Sequence, residues 1–86
     1  METNELNEML FMQLVYQNQQ LGMMGLGKIS SPVSGKTEKN LEQAKFAIDI
    51  LDMLIIKTKG NLGANEEKFI HEVVRELKLN YVNESK

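Results

Sequence analysis

The chain has 86 residues, 42% of them apolar, with ten Lys or Arg against twelve Asp or Glu, no cysteine and a single proline. That length allows one domain, residues 1–86, whose core buries only about 60–65% of the unfolded surface with no disulfide to reinforce it. Thiol nucleophiles, redox dithiols and cysteine zinc sites are excluded, and the lone His71 excludes a His-rich metal cluster. The net charge of -2 is spread as -2 over residues 1–35, +1 over 36–59 and -1 over 60–86, so no segment has the basic excess that a nucleic-acid backbone demands.

Glu2, Glu5 and Glu8 precede the first basic residue, Lys28, which is the wrong sign for a secretory leader. Between Met9 and Leu26 the chain is rich in apolar residues, but Gln13, Gln17, Asn18, Gln19 and Gln20 interrupt it. It falls short of the roughly 18 continuous apolar residues of a membrane span. A soluble cytoplasmic protein is expected, without membrane or nucleic-acid partners.

The first helix is predicted over about residues 4–25, capped by Thr3 or Asn4. Its apolar stripe is Leu6, Met9, Leu10, Leu14, Leu21 and Met24 at three- and four-residue steps. Phe11, Met12, Val15 and Tyr16 widen that stripe beyond what one neighbouring helix covers, so this half of the helix is expected to be enclosed on several sides. Gly22, Gly25 and Gly27 weaken the helix end or let another backbone approach closely, and residues 28–39 read as a loop.

The second helix is predicted over 40–59, with Asn40 as cap and Gln43 completing a capping box. Leu41, Ala44, Ile48, Leu51 and Ile55 form a heptad seam beside a second stripe of Ala47, Ile50 and Leu54. Glu42, Lys45, Asp49 and Asp52 occupy the wet face, with Lys45 placed to meet Asp49. Lys57-Thr58-Lys59-Gly60-Asn61-Leu62 reads as a helix ending: lysines suit the negative terminus, Gly60 takes the left-handed cap and Leu62 folds back. Asn65 then caps a third helix over 66–82, with Ile70, Val73, Val74, Leu77 and Tyr81 as its stripe, widened by Phe69, and residues 83–86 fray. The short Gly60–Ala64 connection makes the second and third helices an antiparallel hairpin, so the fold class is all-α with three helices.

Several motifs suggest chemistry. Ser30 to Thr37 carries Gly35-Lys36-Thr37 as a phosphate loop would, but Ser30 replaces its first glycine, Pro32 removes an amide and no strand precedes it. Gly22-x-x-Gly25-x-Gly27 inverts the dinucleotide spacing and ends a helix instead of opening one. Asp49 and Asp52 share a face without a third ligand, and His71 sits among Glu67, Glu72 and Arg75 on a solvated one. The Met residues at 9, 12, 23 and 24 are adaptable enough for a partner surface but fit a core at this spacing. No catalytic, metal or cofactor constellation emerges. The Lys57–Asn61 turn is the one place where two ammonium groups and free amides converge, making Lys57, Lys59, Gly60 and Asn61 the candidate contact for an anion or acidic partner.

The order of these features closely resembles a family of small bacterial proteins known only as a domain of unknown function. The resemblance runs over about residues 10–82 through Phe11 and Leu14, Leu21-Gly22, Pro32 with Ser34-Gly35, Asn40-Leu41, Ala44-Lys45, Ile48-Asp49-Ile50-Leu51 with Met53-Leu54, Lys57 to Leu62, Glu67 and Tyr81-Val82. The KTKGNL turn is its hallmark. Members tend to carry Thr-x-x-Glu after that turn and Glu-Lys before it, where this chain has Asn65 and Ile55-Ile56. The resemblance implies a bacterial helical protein and no activity.

The expectation is therefore a non-enzymatic protein whose core is completed by a second copy, with Leu10, Phe11, Leu14, Val15, Ile48, Leu51 and Ile55 as the candidate interface. The rival is a binder of small anions or nucleotides through Gly35-Lys36 or the Lys57–Asn61 turn. Docking of the first helix into another protein's groove is a third possibility.

Overall fold

A computed structural model describes residues 2–86. Three helices account for most of them: α1 over Thr3–Gly25, α2 over Leu41–Lys57 and α3 over Ala64–Glu84. All three pairs are in contact, and the described residues contain no strand. The all-α expectation and the order of elements hold, with no boundary shifted by more than two residues.

The helix ends show why these segments stop where they do. α1 closes in a Schellman motif: Gly27, at φ +75°, sends its N–H to the Met24 carbonyl while the Lys28 N–H reaches Met23. At the other end, Glu2 and not Thr3 or Asn4 occupies the cap position, and its side chain makes no capping bond. Asn40 caps α2 as expected, its side chain accepting the Gln43 N–H at 3.2 Å. The Gln43 side chain does not return the bond. It donates to the Leu21 carbonyl of α1 instead, turning a local cap into an interhelical tie. After α2, the Thr58 hydroxyl donates to the Leu54 carbonyl at 2.6 Å, and Gly60 takes φ +84° as the turn requires.

α3 begins earlier than the sequence suggests. Gly63, not Asn65, is its cap, and the Glu66 carboxylate accepts the Gly63 N–H at 2.7 Å. The carboxylate thus anchors the positive helix end from inside, leaving Asn65 in the first turn. Nor does the far end fray at residue 83, since α3 continues to Glu84, which is held by two lysines. Asp52 of α2 pairs with Lys78 of α3, while Ile56, further along α2, lines one groove with Glu67 and His71, earlier in α3, so the two helices run antiparallel.

The core is formed by Val15 and Leu26 from α1 and its end, Ala44, Ile48 and Leu51 from α2, and Ile70, Val73, Val74 and Leu77 from α3. Phe69, Tyr81, Leu54, Ile55 and Leu62 pack against its edge. The stripes read for α2 and α3 are the inward ones, buried at Ala44, Ala47, Ile48, Leu51, Ile70, Val73, Val74 and Leu77 and half-buried at their remaining members.

α1 differs. Its inward row is Phe11, Val15, Asn18, Gly22 and Gly25, whereas Leu6, Met9, Leu10 and Leu14 of the expected stripe are exposed. The reason is packing distance. A Cβ on Gly25 would lie 2.6 Å from the Ala44 nitrogen and 2.8 Å from the Asn40 oxygen, and one on Gly22 would lie 2.9 Å from a Leu77 methyl. The end of α1 approaches α2 and α3 through its smallest residues, so Leu10 and Leu14 are left facing outward while Phe11 packs at the core's edge. Asn18, buried in that row, satisfies its amide by donating to the Leu14 carbonyl at 3.0 Å.

Candidate functional site

The Lys57–Asn61 turn lies at the tip of the α2–α3 hairpin. Its shape follows from Gly60 in the left-handed region and from the Asn61 N–H donating to the Thr58 carbonyl. Lys57, Lys59, Gly60 and Asn61 are all exposed. Beside them runs an open groove of about 470 Å³, lined by Ile55, Ile56, Thr58, Lys59, Gly60, Leu62, Glu67 and His71. The groove brings one cation and His71 to an apolar wall; Lys57 and Asn61 stand outside it. Ile56 is one of its walls.

The Gly35-Lys36 loop is built differently from a phosphate cradle. Its amides are spent internally: Ser31 N–H on the Lys36 carbonyl, Gly35 N–H on the Ser31 carbonyl, and Val33 and Lys36 N–H on the Ser31 and Ser34 hydroxyls. Four residues separate Lys36 from the first helical residue, Leu41, so no helix N-terminus points at the loop.

Of the seven residues expected at an interface, Val15, Ile48 and Leu51 are enclosed by the chain itself and are unavailable to any partner. Phe11 and Ile55 pack partly against the core, and Leu10 and Leu14 face out. The residues that the sequence reading missed are Phe46 and Met53 of α2, both exposed; Ile50 between them, expected in the second apolar stripe, is half-buried. Their three- and four-residue steps were visible in the sequence, yet they compete there with the stronger inner seam of the same helix. Toward α3, the other side of α1 forms an open groove of about 510 Å³ with Glu5, Glu8, Met9, Met12, Gln13 and Tyr16 opposite Phe69.

Electrostatics are concentrated at the opposite end. Glu84 receives Lys28 at 3.0 Å and Lys39 at 2.9 Å, so one carboxylate clasps both ends of the interhelical loop. Hydrogen bonds from Lys39 and then Lys28 hold its carboxyl below the usual range. Asp49 pairs with Lys45 at 2.8 Å, as its spacing suggests, and that bond raises the Lys45 ammonium; Asp52 pairs with Lys78 of α3 at 3.1 Å. Among the described residues, no group of three or more His, Cys, Asp or Glu is placed to hold a metal ion, and no helix is long and apolar enough to cross a membrane.

No curated protein and no solved structure matches the chain. A family model does, over residues 8–83, and it spans all three helices and the KTKGNL turn: the chain belongs to the domain-of-unknown-function family DUF1844.

Proposed function

We propose that the chain is a non-enzymatic helical module that works as an assembly with a second copy of itself. The observation that carries this reading is on α1. From Met9 to Gly27 there is no charged residue, although Met9, Leu10, Leu14 and Tyr16 on that run are exposed. A solvated helix face normally carries charges, and interface cores are depleted in them and enriched in Met and Tyr. Light scattering coupled to size-exclusion chromatography at micromolar concentrations should give about twice the 9.8 kDa chain mass; a stable species at 9.8 kDa overturns the reading.

A second reading is favoured by the groove at the hairpin tip, where Lys59 and His71 flank apolar walls. It makes the protein a binder of a small anionic ligand there. A thermal-shift screen against nucleotides and phosphates tests it, because saturation at 100 times the dissociation constant adds about 2.7 kcal/mol.

A further inference from the structure

The outer face shared by α1 and α2 carries two rows. On α1, Leu10, Leu14, Gln17, Leu21 and Met24 follow at steps of 4, 3, 4 and 3; on α2, Gln43, Phe46, Ile50, Met53 and Lys57 follow at steps of 3, 4, 3 and 4. The two rows are neighbours, because the Gln43 amide donates to the Leu21 carbonyl, while the other edge of α2 turns to α3 through Asp52 and Lys78. Both have the spacing of a bundle seam. Each row has exposed apolar members: Phe46 is 62% exposed, Leu10 56%, Met53 43% and Leu14 41%, while Leu21, Met24, Gln43 and Ile50 are half-buried.

Each row also reads nearly the same in both directions. Gln17 has two apolar residues on either side, and Ile50 has one apolar and one polar residue on either side. A face built that way fits its own image turned end over end. We infer that two copies pack these faces with a twofold axis near Gln17 and Ile50 and with the hairpin tips at opposite ends, so that α1 lies on α1 and α2 on α2. This rests on the self-assembly reading above and assigns its geometry.

Three observations favour that orientation over one with both tips together. Lys57 of one copy comes opposite Gln43 and Glu42 of the other, and neither Lys57 nor Glu42 has an ion-pair partner within the described chain. Tips side by side would instead crowd Lys57 and Lys59 of both copies at one end. A hollow of about 250 Å³, lined by Leu21, Met24, Val33 and Glu38, lies at the loop end of the face, where the turned copy presents Leu10. The extent is adequate too. Each row is about 21 Å long at 1.5 Å per residue, and two helices are about 20–24 Å wide, a footprint on the order of 500 Å² per copy. Over both copies that reaches on the order of 1,000 Å², where specific interfaces begin.

The chain has no cysteine, so single-cysteine variants test the geometry directly. Under mild oxidation, Ile50→Cys should cross-link to its own mate. Phe46→Cys and Met53→Cys should each stay uncross-linked alone and cross-link when mixed, and Leu79→Cys on the exposed side of α3 should not cross-link. Circular dichroism establishes that each variant is folded. A dimer in which Ile50→Cys links only with Gln17→Cys, or in which Phe46→Cys links to itself, overturns the orientation while leaving self-assembly intact. A monomer by light scattering overturns self-assembly itself, and the orientation with it.

Discussion

The backbone N–H of Asn40 donates to the carbonyl of Gly25 at 2.7 Å, joining the last residue of α1 to the cap of α2. The bond closes the interhelical loop at its base. It forms only because Gly25 has no Cβ, which would otherwise meet the Ala44 nitrogen and the Asn40 oxygen.

Gly25→Ala should therefore lower stability by about 1–3 kcal/mol or more in urea denaturation, since the clash is with backbone that cannot rotate away. Gly22→Ala should cost less: its Cβ meets the methyl groups of Leu77, and alanine recovers roughly 1 kcal/mol of helix propensity. Equal stability for Gly25→Ala and the parent chain would show that this contact is not tight.

Asn40→Ala removes the side-chain acceptor for the Gln43 N–H and should cost about 1 kcal/mol. Asn40→Asp should retain most of that, because a carboxylate accepts the same bond and suits the positive helix end. Parallel denaturation curves of the two variants check the order.

Leu51 is fully buried, and Leu51→Ala should cost about 2–5 kcal/mol at any protein concentration. Phe46→Asp removes no core contact. It should instead abolish the dependence of the melting temperature on protein concentration that a dimer shows. An unchanged concentration dependence in Phe46→Asp would move the contact surface away from α2.

The Glu84 clasp should be sensitive to acid. Lys39 and Lys28 hold its carboxyl below the usual carboxylate range, so its contribution is present above that range and is lost as pH falls through the lower folded value. Protection of the amides in residues 28–39, corrected for the intrinsic pH dependence of exchange, should fall over that window. At neutral pH, Glu84→Gln should speed tryptic cleavage after Lys36; unchanged cleavage would mean that the loop is held by its own turn hydrogen bonds.

The hairpin tip and the inner seams of α2 and α3 were legible from local rules, because a glycine turn, flanking lysines and a single dominant apolar stripe leave few alternatives. Asn65 misled because it is a good cap residue one position inside the helix; Gly63 serves through its backbone, which leaves no side-chain signature. Glu84 was missed because Lys28 and Lys39 are distant in sequence and meet it only when the α3 end docks beside the loop.

Composition, spacing and punctuation by themselves determined three helices, their order, the hairpin and the family resemblance, since each depends on residues within a turn or two of one another. Which face of α1 turns inward was decided only by the tertiary structure. Apolar residues surround that helix, so periodicity could not rank its faces. The choice fell to the row with Gly22 and Gly25 because close approach to the α2 backbone and to the Leu77 side chain gains more contact than burial of larger side chains held farther apart. That choice leaves Leu10 and Leu14 outside, beside Phe46 and Met53, and so created the surface on which the proposed assembly rests.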